Sequence, residues 1–97
     1  MEFRTLNYFL GVLENRSYTA AAEALHITQP ALTKAVQRLE AELEVELFDR
    51  DSRGTEPTKY GELLAVHARR LNEEHKHAKL EIENLKNGFN ESVRVGA

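Results

Sequence analysis

Hydrogen-bonding and basic side chains without acids occupy the stretch "HITQPALTKAVQRLE", residues 26–40, up to its last residue. No Asp or Glu lies between Glu23 and Glu40. Amide and hydroxyl groups can bond the edges of nucleic-acid bases, and cations neutralise phosphates. The stretch therefore predicts binding of a polyanion rather than catalysis. Its candidate residues are Thr28, Gln29, Pro30, Thr33, Lys34, Gln37 and Arg38.

A helix from Thr28 to about Leu43 would position these side chains. Thr28 is a good N-cap, and Pro30 fits a first turn, where a missing N–H loses no intrahelical bond. Apolar residues spaced by four, three and four form one buried stripe, and the polar residues fall on the other face. The stripe consists of Leu32, Val36, Leu39 and Leu43. We expect the later acids, Glu40, Glu42, Glu44 and Glu46, to point away from any bound nucleic acid. An ordinary solvated face is the alternative for a single helix.

Two shorter helices are predicted before this one. Residues 5–14 place apolar side chains at helical spacing behind a plausible N-cap at Thr5, and residues 19–25 form an alanine-rich helix opened by Thr19. The alanines reflect either helix propensity or a close helix crossing. Because only three residues, 26–28, separate the second and third helices, the pair matches a helix-turn-helix, whose second helix enters the major groove of DNA.

A small hairpin is predicted next. Val45, Leu47 and Phe48 suggest a short strand, residues 51–54 a turn, and residues 55–57 a return strand that Pro57 keeps at an edge. A hairpin in this place is a wing. Its candidate DNA-binding residues are Arg50 and Arg53 near the tip and Lys59 just after it.

A long helix from Thr58 to about Asn87 is predicted to join two copies of the chain. Apolar and small residues recur at alternating spacings of four and three, as in a coiled coil, while most other positions are polar. The seam consists of Leu64, Ala68, Leu71, His75, Ala78, Ile82 and Leu85. Docking of the helix on its own domain is the weaker alternative. His75 is either a neutral histidine satisfied by a neighbour or a pH-sensitive dimer contact.

Composition narrows the class of protein. The 97 residues carry a net charge of -3, so bases must be segregated onto one face if DNA is the partner. Because the chain has no cysteine, disulfides and thiolate metal sites are excluded. His75 and His77, two residues apart, do not share a helical face, so no metal ligand set is predicted. No apolar run suits a membrane span or signal peptide, and we expect a cytoplasmic protein.

The sequence resembles the N-terminal domain of LysR-type transcriptional regulators. The segments that carry the resemblance are "SYTAAAEALHITQPALTKAVQRLE", "LFDR" and "TKYG", within a match over about residues 2–96. It implies a mainly α winged helix-turn-helix fold and dimers through antiparallel linker helices, usually paired into tetramers, on interrupted inverted repeats of double-stranded DNA. It also implies base contacts from Gln29, Pro30, Thr33 and Lys34, and a minor-groove contact from Arg53.

Three departures from the family pattern matter. Many members have Ser and Arg where Thr33 and Lys34 stand, and lysine lacks arginine's planar two-pronged contact with guanine. Glycine is common where Glu44 stands, which bears on the turn into the wing. "TEP" replaces an apolar alternation in the return strand, so a short wing is expected.

The expected organisation is a winged helix-turn-helix domain at residues 1–57, a linker helix at 58–88 and the start of an effector-binding domain at 89–97. Gly88 fits the end of the linker helix, and Val93 and Val95 suggest a strand that has just begun. No cofactor is predicted in this segment; a small-molecule inducer would bind the effector domain. An enzyme is disfavoured because neither a catalytic set nor a glycine-rich phosphate loop is present. The competing hypotheses are a small, complete winged-helix regulator and a protein-interaction module.

Overall fold

The computed structural model of the chain describes residues 1–49 and 55–88. Four helices account for most of these residues: α1 (Phe3–Asn15), α2 (Tyr18–Leu25), α3 (Gln29–Leu43) and α4 (Lys59–Lys86). The mainly α class and the helix-turn-helix order are as predicted. Helix α3 has the predicted start and end. Its start is fixed by the Thr28 hydroxyl, which accepts a hydrogen bond from the amide of Ala31 at 3.3 Å.

Two predicted helix starts were wrong, because the N-caps lie three residues before Thr5 and two residues before Thr19. Helix α1 begins at Phe3, and the amide of Leu6 donates to the carbonyl of Glu2 at 3.1 Å, so Thr5 lies inside the first turn. Helix α2 is capped by Ser17, whose hydroxyl accepts from the amide of Ala20 at 3.0 Å, rather than by Thr19. At α2 the competing residue Ser17 satisfies an amide of the first turn, whereas α1 begins without a side-chain cap.

The first three helices all end on a residue in the left-handed backbone region. These residues are Arg16, His26 and Glu44, each with φ between 56° and 60°. Their amides donate back to a carbonyl in the last turn, and the chain then reverses direction. Glu44 therefore stands at a position where glycine would carry no side-chain strain.

The core lies where the three short helices meet. Phe9 and Val12 of α1 and Leu32 and Val36 of α3 are completely buried. Ala21 and Ala22 of α2 are buried as well, whereas Glu23 and Ala24 are exposed. The small side chains therefore serve a close crossing of α2 with α1. Gly11 of α1 contributes to that crossing, since a Cβ there would press on the side chain of Leu25.

The predicted hairpin appears as a short antiparallel contact. Within residues 1–49 and 55–88, it consists of one bridge between Phe48 and Pro57. The amide of Asp49 donates to the carbonyl of Glu56 at 2.7 Å. The amide of Thr58 donates to the carbonyl of Leu47 at 2.9 Å. The predicted turn at 51–54 and the predicted strand at Val93 and Val95 lie outside the described residues.

The first half of α4 packs on its own domain, which is the weaker alternative on the sequence alone. Ala65 and Ala68 are buried in the core, and Gly61 lies so close to the preceding segment that a Cβ would overlap the carbonyl oxygen of Leu47. Farther along, the ring of His75 stacks on Phe3 of α1, with the ring centroids 4.6 Å apart. Small residues therefore let α4 lie close against the domain.

The rest of α4 extends past the domain. Its 28 residues correspond to about 42 Å at 1.5 Å per residue, whereas the described part of the chain is 26 Å wide. The helix ends as predicted, with Gly88 in the left-handed region at φ 83° and its amide donating to the carbonyl of Leu85. None of the helices in the described ranges is long and apolar enough to cross a membrane.

Candidate nucleic-acid interface

Helix α3 has one fully buried face and one exposed polar face. Leu32, Val36 and Leu39 are at most 1% exposed, so the helix is fixed against the core along the predicted stripe. The candidate residues Thr28, Gln29, Pro30, Lys34, Gln37 and Arg38 are all exposed, and Thr33 is half-buried. The six predicted residues on α3 and its N-cap Thr28 are therefore together on the side of the helix that faces solvent.

The N-terminus of α3 is open to a ligand. Thr28, Gln29 and Pro30 are exposed, and the side-chain amide of Gln29 lies 3.5 Å from the hydroxyl of Thr33. This long hydrogen bond aligns two groups that can each donate and accept. The amides of the first turn also carry the positive end of the helix dipole. An anion or a hydrogen-bonding edge can approach here without meeting a carboxylate of α3.

Positive charge lies farther along the same helix and on α1. Lys34 and Arg38 are exposed on successive turns of α3. Arg38 also lines an open cleft of about 330 Å³ between α3 and the start of α1, together with Arg4 and Tyr8. Arg4 was not among the predicted residues, because only the packing of α1 against α3 brings it to the cleft that Arg38 lines. The cleft also contains Glu2 and Glu42, so its charges are mixed.

The predicted wing residues are only partly tested. Lys59 is exposed at the start of α4, and its ammonium group lies 5.4 Å from the centre of the Tyr60 ring. Arg50 and Arg53 lie outside the described residues, so their predicted positions near the wing tip remain predictions. The convergence of Lys34 with Arg53 on one surface also remains a prediction.

Glu40 differs from the later acids in its surroundings. Glu42, Glu44 and Glu46 are exposed beyond the polar face. Glu40, in contrast, is only 7% exposed, and its carboxylate accepts a hydrogen bond from the amide of Leu47 at 2.7 Å. It is an interior group rather than a solvated acid. The helical spacing of α3 gave no signal of this role, since the donors come from a later segment.

The predicted dimer seam on α4 requires a correction at Ala68, whereas His75 stays exposed. Ala68 is 2% exposed in the core of its own domain, so it is inaccessible to a second chain. His75 stacks on Phe3 of the same chain. The other five seam residues form an apolar stripe along one side of the helix, in which Leu64 is half-buried and the later members are exposed. They are Leu64, Leu71, Ala78, Ile82 and Leu85.

The end of this stripe at Leu64 and Leu71 borders an apolar groove. The groove has a volume of about 520 Å³ and lies between the end of α3, the following segment and the first half of α4. Leu63 and Leu71 are 60% and 46% exposed along its edge. The described part of the chain therefore presents two different surfaces, a polar and basic one on α3 and an apolar one on α4. The groove is lined by Met1, Leu43, Val45, Leu47, Tyr60, Leu63, Leu64, His67 and Leu71.

Sequence comparison identifies the class of protein that this arrangement defines. Residues 3–62 match the family described as bacterial regulatory helix-turn-helix protein, lysR family. These residues include all of α1, α2 and α3 and the start of α4. The chain belongs to the LysR family.

Particular relatives agree with this assignment. The chain is 41% identical over 96 residues to the nitrogen assimilation regulatory protein nac of Escherichia coli, an alignment that covers 99% of this chain and 32% of that protein. It is 49% identical over 71 residues to the HTH-type transcriptional regulator ClcR of Pseudomonas putida, covering 73% of this chain and 24% of that protein. The chain thus spans about a third or less of the length of these curated relatives.

Solved structures are similar over most of the chain. The DNA-binding domain of BenM, in a complex with benA site 1 DNA, superposes with a TM-score of 0.86 at 35% identity, covering 91% of this chain and 99% of that one. The DNA-binding domain of CbnR in its DNA complex gives a TM-score of 0.80 at 40% identity, covering 89% and 99%. The relatives named here are regulators of transcription rather than enzymes.

Proposed function

We propose that this chain binds double-stranded DNA by placing the N-terminal half of α3 in the major groove. The observation that carries the proposal is the exposed, acid-free face of α3 opposite a fully buried stripe. Because the stripe holds the helix rigidly, its polar face is presented in one orientation. The DNA complexes of the BenM and CbnR domains, which have the same fold, support this placement.

Different residues of α3 have different proposed roles. Gln29 and Thr33 bond base edges, and Pro30 contacts a thymine methyl group. Lys34 donates to a base acceptor such as guanine, and Arg38 neutralises a phosphate. Arg50, Arg53 and Lys59 are proposed phosphate or minor-groove contacts of the wing region. Base contacts would give sequence preference, and phosphate contacts would give most of the affinity.

We further propose that two chains pair through the apolar stripe of α4. Leu71, Ile82 and Leu85 are 46%, 67% and 52% exposed in the single chain, and covering them would stabilise a dimer through the hydrophobic effect. If the two helices run antiparallel, the projecting end of one α4 meets the first half of the other. In that arrangement Ile82 and Leu85 of one copy reach the apolar groove of its partner.

The whole protein is proposed to be a longer transcription regulator. Relatives about three times as long as this chain support an additional domain after α4, starting at about residue 89. That domain is the proposed site for a small-molecule inducer and for the pairing of dimers into tetramers. The dimer would bind an inverted-repeat operator, one half-site to each α3. We expect the protein to act in the cytoplasm, where bacterial DNA is accessible.

A salt titration tests DNA binding against the competing protein-interaction function. The chain would be mixed with labelled duplexes selected from a random pool, and affinity would be measured by fluorescence anisotropy at several salt concentrations. We expect the logarithm of affinity to fall linearly with the logarithm of salt, by roughly 0.9 for each phosphate contact. A selection that enriches no sequence, or an affinity independent of salt, would contradict the proposal and favour a protein partner.

A further inference from the structure

Five residues connect the DNA-facing helix α3 to the long helix α4 at one point of the fold. We call them the α3–α4 junction: Glu40 on α3, Leu47 and Phe48 on the segment between the helices, and Thr58 and Gly61 at the start of α4. All five are in the described part of the chain, and none is among the candidate DNA-binding or dimer residues. Each contact in the junction joins groups that are at least three residues apart in sequence.

Glu40 forms the α3 side of the junction. Its carboxylate is buried and accepts a hydrogen bond from the amide of Leu47 at 2.7 Å and a longer one from the amide of Phe48 at 3.5 Å. A buried carboxylate is costly unless it is satisfied by donors, and a short bond from an amide to a charged acceptor is a strong one. Glu40 therefore fixes the backbone of Leu47 and Phe48 to the interior face of α3.

Thr58 forms the α4 side of the junction. Its hydroxyl donates to the carbonyl of Glu46 at 2.5 Å and accepts from the amide of Gly61 at 3.1 Å. Its own amide donates to the carbonyl of Leu47 at 2.9 Å. One side chain therefore caps α4 and also attaches the first turn of α4 to the segment that Glu40 holds.

Gly61 closes the gap between the two sides. Because a Cβ at this position would overlap the carbonyl oxygen of Leu47, the backbone of α4 lies directly against the segment. Leu47 thus bonds α3 through its amide and α4 through its carbonyl. Such a network of short bonds has little freedom to bend.

We propose that Glu40 and Thr58 are positioning residues that set the angle between α3 and α4, and thereby the half-site spacing that the dimer accepts. The inference rests on the proposed function, in which α4 pairs two chains and α3 reads the DNA. If the angle is fixed within each chain, the two copies of α3 are separated by a fixed distance and rotation. A rigid dimer then discriminates between operators with different spacers, because the DNA must twist or bend to fit.

The first experiment compares operators that differ only in spacer length. An operator obtained by selection would be altered by inserting or deleting one base pair between its half-sites, and the dimeric chain would be titrated with each duplex. We expect the unaltered chain to lose roughly tenfold in affinity per base pair of change, as the strain of a mismatched half-site requires. If the unaltered chain binds no DNA, the proposed function fails; if it binds without spacing preference, only the inference fails.

Two variants with matched controls test the assigned residues. Glu40→Gln removes the charged acceptor, and Glu46→Gln makes the same charge change on an exposed side chain outside the junction. Thr58→Val removes the hydroxyl at nearly constant volume, and Thr58→Ser retains it. We expect the Glu40→Gln and Thr58→Val chains to bind all spacers within about threefold of one another. The two controls are expected to keep the tenfold preference.

A second measurement reports the angle itself and covers the case in which a variant unfolds. Because the chain has no cysteine, spin labels can be placed at Ala41→Cys on α3 and Lys79→Cys on α4, both exposed, with the labelled chain diluted into unlabelled chain. We expect a narrow distance distribution that Thr58→Val broadens and Thr58→Ser does not. A broad distribution in the unaltered junction, or folded variants with unchanged spacing preference and unchanged distances, would overturn the proposal. If the Glu40→Gln chain unfolds, the comparison of Thr58→Val with Thr58→Ser tests the proposal alone.

Discussion

Helices α3 and α4 begin in the same way and differ in the face that they leave exposed. Each is capped by a threonine hydroxyl, Thr28 or Thr58, that accepts from the amide three residues later. Each also has one stripe buried in the same core. The exposed face of α3 is polar and basic, whereas α4 exposes an apolar stripe among charged and polar residues.

This difference indicates which kind of partner each helix can bind. A hydrated polar face loses little by staying in water, so it binds where a charged, hydrogen-bonding surface replaces the water. An exposed apolar face is stabilised by any contact that covers it. Both helices pack on the same core, and the residues left uncovered are the basis for proposing that α3 binds DNA and that α4 binds a second chain.

The largest effect is expected when the apolar face of α4 is disrupted. We expect Leu71→Asp to abolish dimerisation and to reduce operator affinity by about 100-fold or more, since each half-site then binds alone. Sedimentation equilibrium and a gel-shift titration would measure the two losses. Leu71 is 46% exposed in the single chain, so the substitution should leave the domain folded.

Val66→Asp is the matched control for that substitution. Val66 is 44% exposed on the same helix and does not line the apolar groove. We expect this variant to remain dimeric and to bind DNA as before. If the Leu71→Asp chain stays dimeric, or if both variants lose the same operator affinity, the apolar stripe does not hold the dimer together.

A smaller effect is expected on the polar face of α3. We expect Lys34→Ala to weaken operator binding by roughly 1–3 kcal/mol and to relax the preference at one base pair. Anisotropy titrations with the operator, with single-base variants and with random duplex would measure this, and Lys79→Ala on α4 is the control. Equal losses on operator and random DNA would identify Lys34 as a phosphate contact.

The smallest effect concerns the end of α3. Glu44 has φ 60° and ψ 35°, a conformation that is unfavourable for residues other than glycine. We expect Glu44→Gly to raise the free energy of unfolding by about 0.5–1 kcal/mol, and thermal unfolding would measure the increase. Operator affinity should not fall, because Glu44 lies past the polar face. A destabilised variant would mean that the Glu44 side chain makes a stabilising contact.

Much of the fold follows from local sequence signals. The bounds of α3 follow from Thr28, Pro30 and the spacing of its apolar residues, and the length of α4 follows from Thr58 and Gly88. These signals act within a few residues along the chain, which is why they can be read without the structure. The start of α2 was misplaced because Ser17 and Thr19 can each cap a helix, and the start of α1 was misplaced because no side chain caps it.

The sequence by itself determined the helix order, the acid-free face of α3 and the apolar spacing of α4, since each is a periodic pattern within a single element. Only the tertiary structure decided which faces meet. It placed Ala68 in the core of its own domain, brought Arg4 and Arg38 to the same cleft and buried Glu40 against the amide of Leu47. These contacts join residues from different elements or separate turns of the chain, and a helical period does not encode which neighbouring element packs against which face.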